Sequence, residues 1–292
     1  MSNRQLAFWI LRICVGGVFF GRAYQHIRWD VPYGALFRSE TLLGPLVRRL
    51  GGRWQDFANA PGTERWLDNF SVLMGLFFIV CGVVAVCHHP AVSRFVRTRV
   101  VLLLAGGWAL LGFAALSWLD SGLKSAMFIE YASQFMGPMV LVYAARTDAF
   151  DGAAGYLARM AIALTFIGHG AFALGWYGVP GHFLTMTMNI LGVEQEMAIR
   201  LLFVAGVFDM VVAGWVVLGI FRPGTDQVAL MYAALWGTLT AIARMWSGLE
   251  DGMVLTGLES WLHETLIRFI HGGLPLALYL VQLNHGEETK SP

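Results

Sequence analysis

The chain has 292 residues, of which 57% are apolar and 13% charged, with a formal net charge of +1. A soluble domain is roughly 45–50% apolar and about 25% charged, so this chain has too little polar surface to clothe a core in water. A net charge this small argues against nucleic acid as a partner, and the apolar surplus makes the lipid bilayer the expected one.

In chain order, eight stretches carry the ~20 mostly apolar residues that a bilayer-spanning helix needs. They are 5–27, 70–88, 98–119, 126–145, 156–176, 198–220, 227–247 and 262–283. Each must be helical, because lipid cannot satisfy open backbone groups. The first resembles a secretory leader, with Arg4 before an apolar run. Arg12 interrupts that run, the run continues to about Ala23, and no small-x-small site follows, so a retained span is expected.

The longest connection runs from Arg28 to Asn69. Within it, Ser39 is expected to cap a helix holding Leu42, Leu43, Leu46, Val47 and Leu50, with Arg48, Arg49 and Arg53 opposite. Two readings stay open: a helix in the membrane interface, or a plug packed over the bundle. Pro61 and Gly62 are expected to break the segment before the second span. His88, His89 and Pro90 end that span, and the histidine pair reads as a solvated helix end rather than a ligand set. Ala145 to Gly155, with Asp148 and Asp151, is the clearest linker. Pro180-Gly181-His182-Phe183 reads as a turn with an interfacial histidine. The three cysteines, Cys14, Cys81 and Cys87, form no CxxC pair, so neither a disulfide framework nor a cysteine metal site is expected.

After the linker the pattern restarts. Leu102, Ala105, Trp108, Leu111, Ala115 and Trp118 recur 128 positions later as Leu230, Ala233, Trp236, Leu239, Ala243 and Trp246. Arg12, Phe19 and Gly21 recur at an offset of 147 as Arg159, Phe166 and Gly168, and Val80, Gly82 and Val83 recur at 124 as Val204, Gly206 and Val207. Glu130 and Gln134 pair with Glu264 and Arg268. The expected fold is therefore all-α: eight transmembrane helices as two parallel four-helix repeats, 1–148 with an insertion at 28–69, and 149–292. Basic residues fall mostly on one side (Arg4, Arg94, Arg97, Arg99, Arg146, Arg222 and Lys290, against Lys124 and Arg200), which places both termini in the cytoplasm.

The repeat unit, with Gly21-Arg22 and Gly168-His169 late in its first helix, resembles the DoxX-like family of integral membrane proteins. Relatives in that family include a subunit of thiosulfate:quinone oxidoreductase and MauE-type maturation proteins. The resemblance implies a bacterial inner-membrane location, a quinone as ligand, and other subunits of a membrane redox complex as partners. The chain departs from the family pattern in being a double unit and in lacking a cysteine pair for thiol exchange.

The candidate site is a set of polar residues that has no place facing lipid. Glu264, Arg268 and His271 are spaced by four and three, which puts them on one helix face. His169, Arg244 and mid-span Asp209 join them in the second half, and Arg22, Gln25, Glu130 and Gln134 occupy the first. Each charge at membrane depth costs roughly 2.5–3.5 kcal/mol, so such groups must pair or line a wet cavity. Both readings, a ligand pocket and structural ion pairs of Asp209 or Glu264 with Arg244 or Arg268, stay open; the candidate partners of Arg268 are Glu264, one turn earlier, and Asp209, expected as the second partner from another helix. A metal is not expected. Glu264 and His271 stand two turns apart, ~10 Å along the axis, and Arg268 between them would repel a cation. The favoured function is a quinone-linked or redox-accessory subunit, with Arg268 and His271 donating to a polar head group and Phe269 beside its tail. The alternatives are a small-solute transporter and an assembly subunit with no ligand of its own.

Overall fold

The computed structural model describes residues 1–29, 31–87, 96–147, 150, 152–222, 224–249 and 254–288, with the side chains of 96, 147 and 284–288 not described. His88, His89, Pro90, Arg94, Asp148, Asp151 and Lys290 lie outside the described residues. Every regular element among the described residues is an α-helix. In order they are α1 (Asn3–Arg28), α2 (Tyr33–Phe37), α3 (Glu40–Arg49), α4 (Trp54–Ala58), α5 (Pro61–Val86), α6 (Val96–Asp120), α7 (Ser125–Ile129), α8 (Ala132–Thr147), α9 (Ala153–Ala173), α10 (Gly181–Leu191), α11 (Gln195–Phe221), α12 (Gln227–Ser247) and α13 (Val254–Glu288).

Seven of these, α1, α5, α6, α9, α11, α12 and α13, are long and apolar enough to cross a membrane, as in an integral membrane protein. Their outward faces are apolar. On α11, Phe203, Phe208, Val211 and Leu218 are each more than half exposed, while Gly206, Ala213 and Gly219 face inward. A soluble protein rarely exposes such a stripe. In lipid it costs nothing, and small inward residues let the backbones approach for dispersion contact.

The fourth expected span, 126–145, is divided. α7 ends at Ile129, α8 starts at Ala132, and α8 has only 16 residues. The break is held rather than loose. The Glu130 N–H still donates to Ala126 C=O at 2.9 Å, and the freed Ser133 N–H donates to Thr165 Oγ1 on α9 at 3.0 Å. Irregular backbone at membrane depth is tolerated where protein buries it and takes up its polar groups. Gly168 makes the contact possible, since a Cβ there would lie 2.6 Å from the Glu130 nitrogen.

Three expected boundaries move. Pro61 does not break a segment but occupies the first turn of α5, where its missing N–H is no loss. Pro180 and Gly181 start α10 rather than forming a free turn, and α10 ends at left-handed Gly192 (φ 62°). Ser39 stands at the head of α3, but its side chain makes no capping bond. Leu42, Leu46 and Leu50 on that helix are 47%, 52% and 79% exposed while Val47 is buried, so only part of the apolar side of α3 is covered.

α1 packs most extensively against α13 and also lies on α5. α9 lies on α11 and α8, α6 meets α8, and α12 meets α13. The short helix α2 rests on α6, and α10 rests on α11 and α12. Gly21 of α1 faces α13 so closely that a Cβ would come 2.7 Å from the His263 carbonyl oxygen and from Ile267 Cγ1. This packing brings the polar ends of α1, α12 and α13 and the α7–α8 break to one place.

Candidate functional site

Glu264 of α13 is the hub. Its carboxylate accepts from the Arg268 guanidinium one turn on, the order that helix geometry favours. Arg244 Nη1 from α12 stands 3.9 Å from Glu264 Oε2, and His263 Nε2 stands 3.6 Å from Oε1. Arg268 also donates to the Glu264 carbonyl at 3.2 Å.

A second group hangs from α1. Arg22 donates to Gln134 Oε1 through Nε (3.2 Å) and Nη2 (2.6 Å), and to Gln25 Oε1 through Nη1 (2.7 Å). Its guanidinium lies over Phe113 and Tyr131, 4.1 and 4.8 Å from the ring centroids. Both aromatic faces direct negative density at the cation and so share in replacing its lost water. His26 continues the network, with Nδ1 at 2.6 Å from the Arg22 carbonyl and Nε2 at 2.7 Å from the Tyr33 hydroxyl. Burial pushes the Tyr33 hydroxyl above the usual phenol range, so it stays a neutral donor.

The α7–α8 break supplies Glu130, whose Oε2 is 3.8 Å from His169 Nε2 on α9. The His169 ring lies 5.1 Å from that of His271. Glu130 is also in the field of Arg268, Arg244 and Arg22. The predicted site residues Arg22, Gln25, Glu130, Gln134, His169, Arg244, Glu264, Arg268 and His271 thus form one cluster drawn from both halves of the chain, with Gln25, His169, Glu264 and Arg268 half-buried and the rest buried.

Asp209 is not part of it. Its helix, α11, packs on α9, α10 and α12. Asp209 sits against Gly170, and its Oδ1 has no hydrogen-bond partner. The expected Asp209–Arg268 pair therefore does not form, and Arg268 pairs within its own helix. His263, which lies on another face of α13 from Glu264 and Arg268, is buried. It lies against Trp29 and Tyr24 because α1 covers that side of α13.

Sequence reasoning missed Tyr131, Phe113, Tyr33 and Thr165. Aromatic and hydroxyl residues are common in apolar helices, and nothing in their spacing sets these apart. His182, expected as an interfacial histidine, is exposed at the head of α10. His182 lies against Phe183, which is 5.8 Å from the Arg244 guanidinium. Desolvation, then the charges of Arg244 and Arg268, lower the His182 imidazole to about 4, so it is neutral at pH 7.

A separate buried pair lies away from the cluster. Arg159 Nε donates to Asp226 Oδ2 at 2.8 Å, and Gln282 Nε2 donates to Oδ1 at 3.0 Å. Both bonds to Asp226 join segments distant in sequence, which marks the group as a tie between α9, α12 and α13.

Two cavities approach the cluster. The larger, about 940 Å³, is lined by Gln25, His26, Tyr33, Phe113 and Tyr131, with Arg28 and Arg38 towards its mouth. The smaller, about 330 Å³, is lined by His182, Thr185, Met186, Arg244, Ser247 and Trp261. Within the cluster, Arg268 Nε, Gln134 Nε2 and His271 Nε2 are buried with no hydrogen-bond partner. Gln134 can only donate through that nitrogen, because its oxygen already accepts from Arg22. Among the described residues no group of three His, Cys, Asp or Glu side chains could hold a metal ion. No family model, curated protein or solved structure matches the chain.

Proposed function

We propose that this membrane protein holds the acceptor-bearing head of a lipid-soluble ligand, a quinone, as a quinone-linked or redox-accessory subunit of a membrane complex. The observation that carries the reading is the larger cavity, whose lining joins the polar Gln25, His26 and Tyr131 to the apolar Ile27, Leu67 and Val72. Arg268 Nε and Gln134 Nε2, buried without an acceptor, do not line it, and the cost of an unmet buried donor, about 1–3 kcal/mol, bears on a guest only if the lining side chains move aside. A quinone carries carbonyl acceptors and no donor. The larger cavity has the size of a ligand site and offers the rings of Tyr33, Phe113 and Tyr131 as a wall. Ile27, Leu67 and Val72 line the same cavity and suit an isoprenoid tail.

The fold belongs to the same proposal. α7 and α8 together make the fourth crossing of a first four-helix unit, and α9, α11, α12 and α13 make a second, parallel one of DoxX-like kind. The pairings support this: α1 on α5 parallels α9 on α11, and α6 on α8 parallels α12 on α13. α1 also packs on α13, as α9 packs on α8. Gly21 and Gly168, matched in the repeat, each meet the fourth helix of the other half. With an even number of crossings, and Arg4, Arg97, Arg99, Arg146 and Arg222 on one side, both termini are cytoplasmic. A reporter active only in the cytoplasm should then work at either end, and activity at one end alone would mean an odd number of crossings.

The ligand is tested by extraction. Protein isolated in native lipid nanodiscs should carry about one isoprenoid quinone per chain, and Tyr131→Ala with Phe113→Ala should lose it. If the protein carries none and none binds when supplied, the reading fails. Solute uptake by reconstituted vesicles would then favour a carrier, and loss of a partner complex on deletion would favour an assembly role.

A further inference from the structure

The second cavity has a chemistry of its own. Arg244 is at its floor, and the Arg244 side chain is only 9% exposed. A guanidinium has five N–H donors. Among the described residues none of Arg244's makes a hydrogen bond; its nearest carboxylate is Glu264 at 3.9 Å, beyond hydrogen-bonding reach. Glu264 also accepts from Arg268, so its single charge is shared between two guanidiniums and leaves the donors of Arg244 unused. Trp261 lines the same cavity, and its indole N–H likewise has no partner among the described residues. The surrounding cluster sets the guanidiniums of Arg22, Arg244 and Arg268 against the two carboxylates Glu130 and Glu264. One positive charge is left without a counter-charge.

We propose that this cavity is a binding site for a phosphate group, with the fork of Arg244 as its recognition element and the Trp261 indole as a second donor. A guanidinium fork matches two phosphate oxygens at once, and one negative charge balances the surplus. Ser247 and Thr185 are not the recognising groups: their hydroxyls already donate to the carbonyls of Arg244 and Gly181. The phosphate could be that of an anionic phospholipid. Trp246 and Leu255, 65% and 82% exposed on the neighbouring helix ends, offer a path for acyl chains. It could equally be a free phosphate from the aqueous side. The recognising atoms are the same. This site does not rest on the quinone reading, since it uses another cavity and another ligand.

The test uses the full-length protein in nanodiscs. In one arm the discs are phosphatidylcholine, and inorganic phosphate is titrated at constant ionic strength. In the other the discs include phosphatidylglycerol, and native mass spectrometry counts retained lipid. Saturable phosphate binding assigns the site to a free anion. Retention of phosphatidylglycerol that phosphate does not displace assigns it to a lipid. In either arm Arg244→Gln should weaken binding by about tenfold or more, with Arg244→Lys partly restoring it. Trp261→Phe keeps the ring and loses only the donor. It should weaken binding severalfold at unchanged thermal stability, which keeps the test valid if Arg244→Gln fails to fold. The proposal is overturned if neither probe binds saturably to the wild type. It is equally overturned if a folded Arg244→Gln, or Trp261→Phe in its place, binds as tightly as the wild type.

Discussion

Replacing Glu264 by glutamine removes the carboxylate that Arg244 and Arg268 share. The perturbation keeps shape and volume and changes only charge. A pair at 3.9 Å, the Arg244 separation, is worth about 4 kcal/mol at an effective dielectric of ~20. Breaking a buried pair by removing one partner typically costs about 3–5 kcal/mol, because the other charge is stranded. Glu264→Gln strands two, and places Arg244 and Arg268 in mutual repulsion, so the upper end, about 5 kcal/mol, is expected. Arg268→Met leaves Glu264 with Arg244 still in place, and should cost less, about 1–3 kcal/mol. The double variant should recover part of the loss, with a coupling energy above about 1 kcal/mol. Arg268→Met combined with Asp209→Asn should instead be additive within about 0.5 kcal/mol, since the two side chains do not meet. The measurement is a double-mutant cycle by SDS-induced unfolding in mixed micelles. A Glu264→Gln loss smaller than that of Arg268→Met, or a coupling of Arg268 to Asp209 larger than to Glu264, would refute the assignment of Glu264 as the hub.

Asp226→Ala should cost about 3–5 kcal/mol in the same assay, because it strands the Arg159 guanidinium and the Gln282 amide together; Asp226→Asn, which keeps an acceptor, should cost less. Gly168→Ala should cost about 1–3 kcal/mol, since its Cβ would meet the Glu130 backbone at 2.6–2.8 Å. Gly62→Ala, with nothing within 4 Å, should be neutral or slightly stabilising, and equal effects at the two glycines would contradict the close approach. For His182 the sign runs one way. Its folded value of about 4 lies below its ordinary 6.5, so between them the unfolded chain binds a proton that the folded chain does not. The contribution of neutral His182 is present above pH 6.5 and is lost as pH falls towards about 4. Water at the cavity mouth screens part of the effect. Melting temperature should therefore fall less steeply on acidification in His182→Gln than in the wild type, and parallel curves would refute the placement.

Much of the site was legible in the residues themselves. Glu264, Arg268 and His271 sit at helical spacing inside an apolar run, and Arg22, Glu130, Gln134 and Arg244 are each too costly to face lipid alone. One physical rule, that a charge at membrane depth must be met, picks them all out. The same rule does not say what meets them. It offered Arg268 the carboxylate of Glu264, one turn away, which the structure shows, and Asp209 as a second partner because both are deep and of opposite sign, which it does not. The actual partner is decided by which helices touch, and α11 packs on α9, α10 and α12 while Glu264 stands on Arg268's own helix. Tyr131, Phe113 and Tyr33 were invisible for the opposite reason, since an aromatic residue in an apolar helix breaks no rule.

By itself the sequence determined an all-helical membrane chain and the charges of the cluster, though not the buried Arg159–Asp226 pair, because these follow from the transfer cost of single residues and from a period of 3.6. Only the tertiary structure decided that the helix expected over 126–145 divides at Glu130 and Tyr131. That break rests on the Thr165 hydroxyl and on the missing side chain of Gly168, both on another helix. It also decided that Arg22 turns to Gln134, that Glu264 serves two guanidiniums, and that Arg244 is left facing a cavity with its donors unused. Pairing is a property of two helices at once. A chain read one residue at a time states which charges need partners, and only the packing of α1, α12 and α13 against the α7–α8 break states which of them go without.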